Sequence, residues 1–347
     1  MNTVVGVDAH KRTHTLVAVN PGGRKLGEKT VPATTLGHTS AMMWVRARYG
    51  RDVVWGIEDC RPLTALLERE LLAAGQSVVR VPPHLMSRSR ASARTPGKSD
   101  PIDALSVARA VLREPDLPVA SHDETSLTLK LLVDRREDLV GIRRSTINRL
   151  LWRVHELDPT QSKPKNWQHK KTRALLGTWL TTQTGLVAEL ARAELDDINR
   201  LSDAIDELSE QISTTIAPAA PTLLRLPGCG DLTAAKIVAE VAGVERFKNE
   251  DAFARYVGVA PIPHWSGDIS VRVRPTRRGN RQLNAALHRI AVTQIRFENC
   301  PGRIYHRRRL DEGDTRGQAL RALKRRLCRA VFQALKADRA QQKAAAA

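Results

Sequence analysis

Four carboxylates stand out by where they fall: Asp8, Glu58, Asp100 and Asp103. Asp8 closes the stretch Thr3-Val4-Val5-Gly6-Val7, a strand-like run of β-branched residues bounded by Gly6 and a polar exit. Glu58 closes a second apolar run, Asp52 to Ile57. Asp100 and Asp103 are three apart in Lys98-Ser99-Asp100-Pro101-Ile102-Asp103-Ala104, at the entry to a helical run from Ala104 to Leu112, so both side chains can share one helix face. Taken singly, each acid has a plain explanation as a turn residue, an N-cap or a dipole-compatible residue in a first helical turn. Taken together, four carboxylates at one edge would repel one another unless cations lay between them. Hard oxygen ligands suit Mg²⁺, and a pair of such ions suits in-line phosphoryl transfer.

A second candidate is a hydroxyl. Ser266 lies in the Pro/Gly-rich stretch Val259-Ala260-Pro261-Ile262-Pro263-His264-Trp265-Ser266-Gly267-Asp268, followed by Arg272, Arg274, Arg277, Arg278 and Arg281. Loops on rigid scaffolds host nucleophiles, yet a serine before glycine is most often a turn residue. His264 is close enough in sequence to act as a base, with only proximity in its favour.

The elements around the acids read as an α/β unit. After the opening strand, His14 to Asn20 is a second strand, Pro21-Gly22-Gly23 a turn, and Arg24 to Val31 a third strand. A helical stretch from about His38 to Tyr49 precedes the apolar strand ending at Glu58; Thr64 to Ala74 is an amphipathic helix stopped by Gly75, and Ser77 to Val81 a further buried strand. Three antiparallel strands, then helix, strand, helix, strand is the order of a ribonuclease H-like sheet. Its first and fourth strands lie side by side, which would bring Asp8 and Glu58 together.

Bulk composition points to a polyanionic partner. The 347 residues leave room for two or three domains, and 56 Lys plus Arg against 37 Asp plus Glu give a net charge of +19. Residues 261–347 hold 20 Lys plus Arg against 6 Asp plus Glu, so most of the excess lies there. A membrane is disfavoured as the partner, because no apolar run approaches the roughly 20 residues needed to span and no signal peptide opens the chain. With 4% aromatic residues, backbone contacts rather than base stacking are expected. Cys60, Cys229, Cys300 and Cys328 are scattered, which fits a reduced cytoplasm and argues against a zinc site or a disulfide framework. Arg88, Arg90, Arg94 and Lys98, set among serines and alanines, are either a solvated loop or a contact with a nucleic-acid backbone.

The middle of the chain is helical from about Glu124 to Leu157 and again from Leu186 to Ile216. Ile147, Leu150, Val154 and Leu157, and Ile198, Leu201, Ile205, Leu208 and Ile212, have a/d spacing. The seams imply either a dimerising coiled coil or an intramolecular pair, with the basic first helix and the acidic second attracting each other. Ala217 to Pro221 reads as a breaker. Beyond it, Leu226-Pro227-Gly228-Cys229-Gly230-Asp231 places Gly228 and Gly230 just before a helix, where backbone N–H groups can approach a phosphate as in a helix-hairpin-helix clamp, or where glycine simply serves a tight turn. Asn249 to Val257 is a short helix closed by Gly258, and residues after about Asp338 are expected to fray.

The motifs Gly-Val-Asp-Ala-His-Lys at residues 6–11, Gly-Ile-Glu-Asp at 56–59 and Lys-Ser-Asp-Pro-Ile-Asp-Ala at 98–104 resemble the DEDD transposases of bacterial insertion sequences, whose amino-terminal domain is RuvC-like. The resemblance extends over nearly the whole chain, including the Leu-Pro-Gly-x-Gly element that opens the family's carboxy-terminal domain. It implies a RuvC-like domain over residues 1–118, a helical coiled-coil segment over 119–217 and a mostly helical transposase domain over 218–347. It further implies Mg²⁺ on the acidic quartet, and a serine in a Pro-x-x-x-Ser-Ser-Gly loop that becomes joined to DNA. Here Trp265 replaces the first of those serines, leaving Ser266 as the matching hydroxyl. The family also implies guidance by a structured non-coding RNA encoded by the element, and dimers that join into a tetramer. Two rivals remain at this level: a metal-dependent nuclease or junction resolvase that activates water, and a non-catalytic nucleic-acid scaffold.

Overall fold

The computed structural model describes residues 3–58, 61–82, 85, 99–114, 117, 119–120, 124–264, 272–275 and 279–346. The chain opens with strands β1 (Thr3–Ala9), β2 (Thr13–Val19) and β3 (Lys25–Pro32), then helix α1 (Thr35–Tyr49), β4 (Val53–Glu58), α2 (Arg61–Ala73), β5 (Ser77–Val81) and α3 (Asp100–Arg113). The strands form one sheet in the order β3-β2-β1-β4-β5. Pairing is antiparallel between β1, β2 and β3 and parallel from β1 to β4 to β5. That is the ribonuclease H-like order expected from the sequence, with the first and fourth strands adjacent.

Strand alternation sorts the apolar residues to two faces. Val5, Val7, Leu16, Ala18, Trp55 and Ile57 pack with Ala41 and Val45 of α1 and Leu67 and Leu71 of α2. Val4, Val17 and Val19 face Ala104 and Ala108 of α3. Each large side chain buried in this way contributes on the order of 2 kcal/mol. Trp55 adds a satisfied polar handle, its indole N–H donating to Gln76 Oε1 at 3.0 Å.

The helical region begins with α4 (Glu124–Leu157), α5 (Lys170–Thr181) and α6 (Leu186–Ala219). Leu150 and Val154 of the first seam pack with Leu176, Leu180, Ala191, Leu195 and Ile198, so these seam residues are buried within one chain. Arg153 Nε lies 3.0 Å from Glu194 Oε2, as the opposite charges of the two helices predict. Other arginines use hydroxyls instead: Arg136 donates to Ser209 Oγ at 2.7 Å and Arg143 to Ser202 Oγ at 3.1 Å. Helix α5 is a third helix beside the two expected from the sequence. Pro218 does not break α6, which runs on to Ala219 and ends at Ala220 with φ −145°. A proline in the last turn forfeits only one i→i−4 hydrogen bond.

Short helices α7 (Pro221–Leu224), α8 (Asp231–Val241) and α9 (Glu250–Val257) follow, then a hairpin of β6 (Pro261–His264) and β7 (Arg272–Pro275), and helices α10 (Arg281–Arg296), α11 (Pro301–Asp311) and α12 (Arg316–Ala346). Asn249 caps α9 by accepting from the Ala252 N–H at 2.9 Å, and Gly258 ends it at φ 77°, as read from the sequence. The stretch expected to be all loop from Val259 to Asp268 thus contains a paired strand. The expected fraying after Asp338 is also corrected: α12 continues to Ala346. Both Asp338 carboxylate oxygens accept backbone N–H groups at the start of α7, from Thr222 at 2.7 Å and Leu223 at 3.1 Å, and Gln342 Nε2 donates to the Ala219 carbonyl at 2.8 Å.

Internal contacts group residues 1–123, 242–284 and 324–332 into one unit and 124–241, 285–323 and 333–347 into another. Among the described residues no helix is long and apolar enough to cross a membrane. Cys229, Cys300 and Cys328 are buried and free of disulfides.

Candidate active site

The site forms where β1 and β4 end. Asp8 follows Val4 and Gly6 on one face of β1, and the parallel register pairs Val7 with Ile57, which sets Glu58 beside Asp8 on the neighbouring strand. The same face carries α3, seated on bare backbone. A Cβ on Gly6 would meet the Ala104 carbonyl oxygen at 2.1 Å, and one on Gly56 would meet Val111 Cγ2 at 2.6 Å. The first turn of α3 therefore arrives at the strand end with Asp100 and Asp103 on it. Ser99 stands at the N-cap without a side-chain bond, and its carbonyl accepts from the Ile102 and Asp103 N–H groups.

Asp8 is 5% exposed and Asp103 7%, whereas Asp100 is exposed and Glu58 half-buried. Burial is the largest factor raising the Asp8 carboxyl above its ordinary value. His10 opposes that rise, and the charges of Asp103 and Asp100 add to it. A cation would relieve this crowding of acids.

His10 completes the cluster. Its backbone N–H donates to the Thr13 carbonyl at 2.9 Å, a tight turn between β1 and β2 that holds the residue over the strand end. The ring Nε2 lies 3.1 Å from Asp8 Oδ2 and 3.3 Å from Asp100 Oδ1. Ligand atoms of Asp8, His10 and Asp100 all fall within 4.8 Å of one another. Two carboxylates and an imidazole converging on one point are a donor set that fits a divalent ion. Sequence reasoning missed His10. The available signal was its place two residues beyond Asp8 in Gly-Val-Asp-Ala-His-Lys.

The remaining candidates are on other elements or outside the described residues. Ser266, Arg88, Arg90, Arg94, Lys98, Arg277 and Arg278 lie outside them. Arg272 and Arg274 are on β7, in register with His264 and Ile262 of β6. Arg281 opens α10 and is exposed. Gly228 has φ 81°, and a Cβ there would come within 3.2 Å of the Ile290 carbonyl oxygen, so it answers to backbone geometry and close packing. Gly230 faces open space just before α8, where Asp231 Oδ2 accepts from Ser213 Oγ at 2.5 Å.

Comparison with known proteins bears on this geometry. Residues 5–157 match the family model DEDD Tnp IS110, described as a transposase, and residues 220–306 match the Transposase IS116/IS110/IS902 family. An insertion element IS116 protein of Streptomyces clavuligerus is 28% identical over 93% of this chain and 92% of its own length. An insertion element IS900 protein of Mycobacterium paratuberculosis is 26% identical over 92% of each. Among solved structures, T. thermophilus RuvC in complex with Holliday junction substrate aligns with 34% of this chain and 99% of its own at 14% identity and a TM-score of 0.27. The ribonuclease H-like assignment rests on the strand order and not on that last match. With two transposase models of one type matched in order, and relatives alike over nearly their full lengths, the chain belongs to the DEDD transposases of IS110-type insertion elements.

Proposed function

We propose that this transposase cleaves and exchanges DNA strands at specific sites through a covalent phosphoserine formed by Ser266, with Asp8, Glu58, Asp100 and Asp103 holding Mg²⁺ or a related divalent ion. The observation that carries the reading is the convergence of acids at one strand end around buried Asp8. A bound divalent ion there supplies Lewis-acid polarisation of a phosphate oxygen. The protein's own part is to hold the carboxylates rigidly, through a helix seated on Gly6 and Gly56.

In the covalent step, the Ser266 oxygen bonds to phosphorus as the bond from phosphorus to the leaving deoxyribose oxygen breaks. The hydroxyl proton passes to solvent or a local base, and the leaving oxygen takes up a proton. The serine ester retains the phosphodiester's energy, so attack by another strand's hydroxyl rejoins DNA and frees the serine. Arg272, Arg274, Arg277, Arg278 and Arg281 lie close in sequence to Ser266, supplying positive charge for the phosphate, and Arg88, Arg90, Arg94 and Lys98 add backbone contacts. Gly228 and Gly230 offer backbone N–H groups at the start of α8.

A net charge of +19 with 4% aromatic residues suits holding both DNA and a structured, element-encoded guide RNA by their backbones. Assembly into dimers and then a tetramer, in the cytoplasm, completes the proposal.

The test is to incubate protein, divalent metal and element-end DNA and look for a protein–DNA adduct on a denaturing gel. Ser266→Ala should abolish the adduct and lower cleavage by roughly a thousandfold or more. Cleavage by Ser266→Ala at the parent rate would mean that water is the nucleophile.

A further inference from the structure

We infer that His10 Nε2 is a direct ligand of the divalent ion, making this a mixed nitrogen–oxygen centre that favours Mn²⁺ over Mg²⁺. The inference rests on the metal reading of the acidic cluster and concerns which ion that cluster selects.

Three observations converge on the ring. The turn closed by His10 N–H and the Thr13 carbonyl fixes its backbone at the mouth of the site. Its Nε2 faces two acids from different elements, Asp8 at the end of β1 and Asp100 at the start of α3. Its separations from them, 3.1 and 3.3 Å, are close to the distance between adjacent ligands of an octahedral ion, about 3.0 Å for metal–ligand bonds near 2.1 Å. The exposed faces of His10 and Asp100 leave room for the waters and phosphate oxygens that such an ion also needs.

The donor set determines the selectivity. Mg²⁺ prefers oxygen ligands and keeps its waters, whereas first-row transition ions gain affinity from an imidazole nitrogen. Replacing one oxygen position by His10 therefore stabilises Mn²⁺ relative to Mg²⁺. The competing arrangement is one in which His10 only bridges the acids by hydrogen bonds and must leave before an ion enters.

Metal binding distinguishes the two without reference to catalysis. The whole protein is titrated with Mn²⁺ alone and Mg²⁺ alone by calorimetry, and the Mn²⁺ form is examined by pulsed electron paramagnetic resonance for nitrogen modulation. Unsubstituted protein should show modulation from a bound imidazole. His10→Ala should lose it, with Mn²⁺ affinity falling about tenfold or more and Mg²⁺ affinity less than about threefold. Bound Mn²⁺ without nitrogen modulation, or unchanged or tighter Mn²⁺ binding by His10→Ala, overturns the inference. If Asp8→Asn abolishes binding while His10→Ala does not weaken it, the acidic site stands and His10 is not its ligand. If the unsubstituted protein binds neither ion, both readings fall.

Discussion

A Cβ on Gly6 would fall 2.1 Å from the carbonyl oxygen of Ala104, so the helix that carries Asp100 and Asp103 reaches Asp8 only because β1 lacks a side chain at that point. The obstacle is helix backbone, which cannot rotate away. Gly6→Ala should displace α3, cost about 3 kcal/mol in urea denaturation and lower DNA cleavage sharply. Gly56→Ala is the graded control. Its Cβ meets the end of a side chain, Val111 Cγ2 at 2.6 Å, and the loss should be nearer 1 kcal/mol. Equal losses at the two glycines would contradict backbone seating.

The opposite face of the sheet carries a pH-dependent weakness. His14 is buried, its ring stacked on His38 at 5.1 Å, and His38 Nδ1 lies 2.5 Å from Glu70 Oε2. Burial first, and then the neighbouring His38, lower His14 from 6.5 to about 4. The unfolded chain binds this proton below pH 6.5 and the folded chain only near 4, so the stability is full above pH 6.5 and falls as pH drops toward 4. A shift of this size corresponds to about 3 kcal/mol. Denaturation midpoints measured from pH 7.5 to 4.5 should fall accordingly, and His14→Leu should flatten the acid side of the profile.

The parts of this structure legible in the sequence are those determined locally. Runs of valine and isoleucine ending in an acid identify β1 and β4, and the order of elements makes them neighbours, so Asp8 and Glu58 could be paired in advance. His10 was not legible, because a half-exposed histidine beyond a strand looks like any surface residue until Asp100 arrives from far along the chain. Gly6 read as a boundary of the apolar run, since nothing local shows that a helix backbone will lie on it. Helix α5 was hidden by the Pro, Lys and Trp content before it and by an N-cap residue, His169, that makes no side-chain bond. Pro218 misled because proline's cost depends on how much helix follows, and here one residue does.

A charge network around the buried Lys236 and Glu240 side chains fastens α8 to α4. Lys236 is 1% exposed, with Nζ 2.8 Å from Glu137 Oε2 and 3.7 Å from Asp134 Oδ1, while Lys130 Nζ lies 2.9 Å from Glu240 Oε1. Removing the acid beside a buried lysine leaves that charge poorly compensated. Glu137→Gln should cost about 2 kcal/mol, because it leaves the buried Lys236 ammonium with Asp134 at 3.7 Å in place of its nearer acid. Lys236→Met removes the buried charge and keeps most of the volume, so it should cost less, about 1 kcal/mol. Guanidinium denaturation of the two variants checks that order.

The carboxy-terminal helix should act as a clasp up to a definite point. Asp338 is buried and accepts two backbone hydrogen bonds at the start of α7, and Gln342 reaches the Ala219 carbonyl that closes α6. Hydrogen bonds to a charged carboxylate contribute more than neutral ones, and their loss leaves two backbone donors buried or newly hydrated. Deleting residues 338–347 should lower stability by about 3 kcal/mol, and Asp338→Ala should account for most of it. Deleting only 344–347 removes alanines beyond these contacts and should change stability by less than about 0.5 kcal/mol. Thermal denaturation of the three variants reads the difference. If the long and short deletions behaved alike, the Asp338 contact would contribute nothing, and the helix beyond residue 337 would be as dispensable as its polar, alanine-rich sequence alone implies.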